Sequence, residues 1–348
     1  MTIARYLHHQ IGARIAAVLA GLLALGLTLD LMENAPEVIE RHGVGALTQY
    51  AALRAPVLLT FIAPLGILAG AVLAFITLAA RNEMVILRAS GVSTLALVLR
   101  LLPLALVLGL LNGILVGVLA PSAERTLLSR MPEVLGSRGA LSEVWLRDVQ
   151  TVVHIGRASG DGASLDQISI FELDREGALE LRLDAARASF LGDGWLLEEV
   201  TRQRYPEPAE ALPELVWSSR VKPQSVLAAA YRPELVDVRE ARRVVEGSLP
   251  MARSAPFYEL RIWKDVAAVL VPLVMLLLSA QASFGISRAG GRPGLAALSL
   301  AAGAGYVVVD GVSSSLGEIG LLAPPVAALL SPLIFLLVGT WALLVIEE

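Results

Sequence analysis

The residues equipped for chemistry fall into a few places along the chain. Arg81-Asn82-Glu83-Met84-Val85-Ile86-Leu87-Arg88-Ala89-Ser90-Gly91 sets two arginines, a carboxylate and an amide among apolar side chains, between two long uncharged runs. Asn82 suits a helix N-cap, Glu83 the first turn, and Gly91 a left-handed C-terminal position. The helix so framed has about two turns, and i, i+3 and i+4 spacing stacks Met84, Leu87 and Arg88 on one face. It is too short and too charged to cross a bilayer, and too apolar for a bare loop. The expectation is a small helix on the membrane surface, spanning 81–94 with its flanks and offered to a partner.

Other reactive types are scattered. Asp148, His154 and Asp166 are the pieces available for acid–base work, but their spacing fixes no common cleft. His8-His9 offers two imidazoles, either a solvated basic face or half of a metal site, which needs three or four ligands. Asp310 is the acid most deeply set in an apolar run; it reads as a proton-relay group or as a polar contact near the end of a span. Arg54, Arg125 and Arg130 lie where apolar runs meet polar sequence. They either snorkel to an interface or pair with phosphate, which arginine grips bidentately. Asn112, inside an apolar run, reads as a helix–helix hydrogen bond or a transport residue.

Some chemistry is excluded. The only lysines are Lys222 and Lys264, preceded by Val221 and Trp263. A Walker A loop needs a lysine directly after glycine, so this sequence has none, and any ATP chemistry belongs to another chain. H-E-x-x-H and G-x-S-x-G are absent, and with no cysteine there is no thiol or disulfide chemistry. A net charge of −4 gives no electrostatic case for nucleic acid.

The elements that must position these residues are mostly membrane spans. The chain is 55% hydrophobic, and charge concentrates between Glu124 and Asp265. Apolar runs predict spans at Ile15–Leu29, Ala55–Ala80, Leu95–Ala120 with Arg100 near one end, Val266–Ser287, Gly294–Ser313 with Asp310 near one end, and Pro324–Ile346. The first has a cleaved signal peptide as its rival reading, but no convincing small-residue cleavage site follows Leu29. Pro56 and Pro64 are expected to kink the second. Between spans three and four, Val144–Leu146, Val152–Ile155, Ile168–Leu173, Leu179–Leu183, Trp195–Leu197 and Leu215–Trp217 have strand composition. Asp174–Gly177 and Gly192–Gly194 supply turns, and the insert reads as a β-sandwich or jelly roll. With six spans, Arg5, Arg14, Arg81, Arg88, Arg288 and Arg292 share one side. The positive-inside rule makes that side cytoplasmic and puts the β domain outside.

The stretch Arg81–Gly91 resembles the loop between the second and third spans of the lipopolysaccharide-export permeases, the LptF/LptG family. Six spans divided three and three around an external β-jellyroll is that family's layout. Leu29-Asp30, Val144–Asp148 with His154-Ile155, Tyr306–Asp310, and Gly320–Pro325 with Leu329–Pro332 look like its G-type rather than its F-type branch. The resemblance implies six transmembrane helices with an inserted periplasmic all-β jelly-roll domain. The divisions would be 1–124 with the coupling helix, 125–258 for the β domain and 259–348 for the last three spans.

It also implies half of an ABC-type transporter, not an enzyme. The chain would work with an F-type permease (LptF), a cytoplasmic ATPase dimer (LptB) that binds ATP and magnesium, and an LptC-like single-span periplasmic protein. Arg81, Asn82, Glu83, Met84, Leu87, Arg88, Ser90 and Gly91 would contact the ATPase, with Glu83 meeting a basic residue. Leu27, Asp30, Arg54, Phe61, Ile62, Arg125, Arg130 and Asp310 would face the lipid. G-type members carry lysines on the outer part of the first span; the matching places here hold Leu27, Glu33 and Asn34. That departure implies a lipid with fewer phosphates, or one gripped by the other subunit.

Overall fold

A computed structural model describes residues 3–81, 83, 86, 94–131, 142–174, 176–230, 236–281 and 294–347. Among them six helices are long and apolar enough to cross a membrane. The first, α1, runs from Ile3 to His42 without a break. At 1.5 Å per residue that is about 60 Å, twice the roughly 30 Å apolar thickness of a bilayer. The acidic stretch after Leu29 is therefore not a loop; it continues the helix beyond the apolar layer. Arg41 and His42 in the last turn complement the helix dipole, and Gly43 ends the helix at φ +80°, its N–H donating to the Ile39 carbonyl at 2.9 Å.

Helix α2 follows at once and spans Ala46–Ala80, with Pro56 and Pro64 inside one continuous helix. The third span is a composite rod: α3 (Thr94–Ile114), a π-helical turn (Leu115–Leu119) and α4 (Ala120–Arg130). Because α4 extends to Arg130, a boundary at 124/125 would cut through a helix. The last three spans are α7 (Ala255–Ala280), α8 (Gly294–Glu318) and α9 (Pro324–Glu347). Helix α7 begins eleven residues before the apolar run that announces it at Val266, so 258/259 also lies within a helix.

Small residues bring the composite rod and α7 into backbone contact. Gly109, Gly113 and Gly117 recur every fourth residue on one face. A Cβ on Gly109 would lie 2.3 Å from the Val269 carbonyl oxygen, one on Gly113 2.9 Å from Val269 Cγ2, and one on Gly117 2.7 Å from Asp265 Oδ2. Only glycine permits this approach, the small-residue packing that joins helices in lipid. Asn112, on the same seam, donates to the Ala268 carbonyl at 2.8 Å, which is the helix–helix bond its position predicts. One apolar core gathers the inner half of α1 (Leu7, Ile11, Ile15), Phe75 and Leu78 of α2, Met275 and Leu278 of α7, Tyr306 of α8 and Leu343 of α9.

The polar insert folds as one antiparallel sheet: β1 (Ser142–Asp148), β2 (Thr151–Ala158), β3 (Ser164–Leu173), β4 (Leu179–Phe190), β5 (Gly194–Arg204) and β6 (Glu210–Ser218). Strand order is consecutive, β1 to β6, so the described strands contain no crossover of the jelly-roll kind. Register aligns Val153, Ile170 and Leu183 in one row and Ile155, Ile168 and Ala185 in another, which puts the alternating apolar residues on a single buried face. Val226 of α5 (Pro223–Ala230) packs on that face, and Trp195 donates its indole N–H to the Val221 carbonyl at 2.8 Å. Helix α6 (Val238–Val245), capped by Asp237, then leads back to α7. Paired backbone bonds between Arg147 and Met251, 2.6 and 2.7 Å, tie the β1 edge to the chain entering the membrane.

Candidate functional site

At the end of the bundle away from the β domain, Arg81, Glu83 and Ile86 are described, while Asn82, Met84, Leu87, Arg88, Ser90 and Gly91 lie outside the described residues. Arg81 closes α2, its N–H donating to the Thr77 carbonyl at 3.1 Å, and its side chain is exposed. Ile86 is exposed too. Glu83 is held: the Tyr6 hydroxyl donates to its Oε2 at 2.9 Å. Two residues along α1, His8 Nε2 lies 2.6 Å from the Arg100 carbonyl oxygen. The first turns of α1 therefore touch Glu83 and, through the Arg100 carbonyl, α3. His8 thus serves a helix contact.

At the end of the bundle beside the β domain, Arg54 and Arg125 are paired with carboxylates. Arg54 is 2% exposed, and it grips Asp30 of α1 with two nitrogens: Nη2–Oδ1 is 2.8 Å and Nε–Oδ1 is 3.0 Å. Tyr50 donates to Asp30 Oδ2 at 2.6 Å, and the Glu124 carboxylate of α4 lies 3.6 Å from Arg54 Nη1. A cation this deep is tolerated in a bundle only when carboxylates surround it. The Arg54 guanidinium ties α1, α2 and α4 together.

Arg125 is likewise committed, to Asp237 and Glu240 at the start of α6. Burial pushes the Glu240 carboxyl above its ordinary range, and Arg125 opposes that shift. Asp310 is paired as well, with both carboxylate oxygens 2.7 Å from Lys264 Nζ of α7. That is the neighbouring-helix contact expected of it. Of the remaining lipid candidates, Arg130 and Phe61 are exposed, Leu27 is half-buried, and Ile62 packs near Gly26 of α1.

Three participants escaped sequence reading. Lys264 reads as the polar edge of a span, yet it sits inside α7, a helical turn after Arg261. Arg261, 5% exposed, joins its Nη2 to the Val116 carbonyl of the π-helical turn at 3.0 Å and its Nε to the Val236 carbonyl at 2.8 Å, and its third nitrogen meets Asp265. Tyr6 reads as part of an amphipathic lead-in. The available signal was i, i+4 charge pairing at Arg261 and Asp265.

The three acid–base pieces of the insert do not converge. Asp148 accepts from Arg220 at 2.6 Å, His154 pairs with Glu143 at 2.8 Å and lies tilted against the Trp145 ring, and Asp166 stands opposite Arg157. Following β2, their rows are three residues apart, about 10 Å per step, too far for shared proton transfer.

What stands uncovered is apolar. On α1, Leu25, Leu29 and Met32 form one exposed stripe, and only 11% of that helix's apolar window is buried. For α8 the share is 17%, with Leu298, Val308 and Val312 exposed, whereas α2 and α7 reach 50%. Helix α2 meets α8 where Leu68 and Leu65 approach Gly303; Phe61, one turn outward of Leu65, is exposed. The geometry presents two largely uncovered rods joined to a buried pair, with ions spent on helix contacts.

Comparison with known proteins agrees with this layout. Residues 5–345 match the family model "Lipopolysaccharide export system permease LptF/LptG". The chain is 24% identical over 290 residues to "Lipopolysaccharide export system permease protein LptG" of Escherichia coli (strain K12), covering 81% of this chain and 80% of that protein. It is 23% identical over 352 residues to the protein of the same description from Haemophilus influenzae, covering 98% of each. With six membrane-crossing helices, a β domain inserted between the third and fourth, and a match running almost end to end, the chain belongs to the lipopolysaccharide export system permease LptF/LptG family.

Proposed function

We propose that this protein is the G-type permease subunit of an ABC-type exporter that lifts lipopolysaccharide out of the inner membrane. Its partners are an F-type permease (LptF), an ATPase dimer (LptB) that binds and hydrolyses ATP, and an LptC-like periplasmic protein. Both termini and the 81–94 segment face the cytoplasm, and the β domain faces the periplasm; the arginine distribution supports this orientation. The observation that carries this reading is the unequal covering of the helices, 11% for α1 and 17% for α8 against 50% for α2 and α7. Rods this bare expose a continuous apolar wall that lipid or a second permease can cover. The G-type assignment draws on the printed names of the two relatives.

The mechanism is mechanical. Nucleotide closes the ATPase dimer, the surface segment moves, the helices narrow a lipid-filled cavity, and the lipid leaves toward the β domain. Two experiments test it. Affinity purification of the chain should recover an F-type permease and an ATPase, and recovery of neither refutes the assignment. Charge reversal, Glu83→Lys, should abolish export or assembly while the protein still inserts; normal export in that variant contradicts the ATPase contact.

A further inference from the structure

We propose that Arg261 is a positioning residue: it replaces a backbone donor that the third span lacks at its π-helical turn, and so fixes the facing of α4 beside the β domain. The gap is written in the sequence. In an α-helix the Val116 carbonyl would accept from the N–H of Ala120, four residues on. Here Ala120 donates to Leu115 instead, the longer bond of a π-helical turn. The donor that would then fall to Val116 belongs to residue 121, which is proline and has no N–H. A carbonyl left bare among apolar helices is costly, and a neighbouring helix has to supply its partner. Arg261 of α7 does so, its Nη2 lying 3.0 Å from the Val116 oxygen.

The other nitrogens carry the hold further. Nε donates to the Val236 carbonyl at 2.8 Å, and Nη1 to the Asp265 carboxylate one turn along α7. Gly117 leaves room for Asp265 beside the turn, since a Cβ there would sit 2.7 Å from Oδ2. Val236 leads directly into Asp237, which caps α6 and pairs with Arg125 of α4. The contacts close a circuit: from the π-helical turn to Arg261, to the start of α6, to α4, and back along the third span. On α4 the consecutive residues Glu124 and Arg125 reach Arg54 of α2 and Asp237 with Glu240 of α6. Successive residues stand about 100° apart around a helix, so a single facing serves both. Slippage by one residue would bring the Glu124 carboxylate to the place where Arg125 meets two acids. Arg261 itself is 5% exposed, a depth at which a cation persists only with its donors engaged.

The consequence for transport, that lipid passing from the bundle to the β domain crosses this joint, rests on the permease reading, and the test keeps the two apart. The chain has no cysteine, so single introduced thiols can be followed. Ser122 of α4 is exposed and Leu128 is 5% exposed. In the purified full chain in micelles, N-ethylmaleimide should modify Ser122→Cys and spare Leu128→Cys. Arg261→Met, combined with Asp265→Asn so that no carboxylate is stranded, should erase that contrast. Adding Pro121→Ala gives residue 121 an N–H for the Val116 carbonyl and should bring the contrast back. No contrast in the otherwise unaltered chain, or one that survives the loss of Arg261, overturns the proposal. So does a contrast that Pro121→Ala fails to restore, because charge or packing alone would then account for Arg261. Should the Arg261 variant not fold, Pro121→Ala must recover folding, or the proposal falls. In the purified complex, lipopolysaccharide released per ATP hydrolysed should drop in the Arg261 variant and recover with Pro121→Ala; an unchanged ratio overturns the joint's part in transport. A wild-type complex that releases no lipid overturns the permease reading instead, while the thiol contrast still decides what Arg261 does.

Discussion

Replacing Arg54 with methionine tests the clamp at the outer end of α1 and α2. Arg54 is 2% exposed and faces two carboxylates, Asp30 at 2.8 Å and Glu124 at 3.6 Å. Methionine fills similar volume but leaves those acids without the guanidinium between them. Breaking a buried pair from one side costs about 3–5 kcal/mol, because the surviving charge is stranded. Asp30→Asn added to Arg54→Met neutralises the nearer of the two acids and leaves Glu124, so it should restore part of that loss, about 2 kcal/mol. The asparagine oxygen still accepts from Tyr50, which otherwise donates to Asp30 at 2.6 Å. The assay is unfolding of the four proteins of this double-mutant cycle in mixed micelles, followed by tryptophan fluorescence. Were Arg54 a headgroup ligand, the single variant would keep its stability and lose lipid. A loss below about 1 kcal/mol, or strict additivity in the cycle, refutes the clamp.

Three further outcomes are expected. Gly109→Ala puts a methyl 2.3 Å from the Val269 carbonyl and should cost about 1–3 kcal/mol by forcing the composite rod from α7; an unaltered melting temperature refutes close packing there. Lys264→Met should destabilise more than Lys264→Met combined with Asp310→Asn, because the single change leaves Asp310 without its 2.7 Å partner; equal melting temperatures would make the contact incidental. Asp161, in the β2–β3 turn, accepts from the Ser159 hydroxyl and the Ala163 N–H, and those bonds lower its carboxyl pKa. Its folded pKa lies below the unfolded one, so its stabilisation is complete above the ordinary carboxylate range and vanishes as pH falls through the folded value. Asp161→Ala should flatten the acid side of the β domain's stability profile, and an unchanged profile contradicts the shift.

Some of this was legible before any coordinates. Long apolar runs placed all six spans, because length and apolarity alone decide what crosses a bilayer. Alternation in Leu179–Leu183 and turn residues such as Gly177, at φ +85°, placed the strands of the insert. Helix ends were misjudged wherever a helix outran its apolar stretch. Acidic residues after Leu29 and polar ones before Val266 look like loop, yet α1 continues to His42 and α7 starts at Ala255. Polar helix is indistinguishable from polar loop when hydropathy is the only guide.

The charges divide the same way. Residue types and spacing along the chain set out what the protein could not do, since two lysines without a preceding glycine exclude a nucleotide cradle. Which cation met which anion was decided by tertiary structure alone. Arg54 finds Asp30 across a helical hairpin, Lys264 finds Asp310 across the gap between two spans, and Tyr6 finds Glu83 77 residues away. A sequence specifies that an arginine stands near the end of a span, but not its depth or its facing. In a bundle those two quantities separate a side chain offered to lipid from one locked between helices, because a charge buried in lipid persists only where another helix supplies its partner.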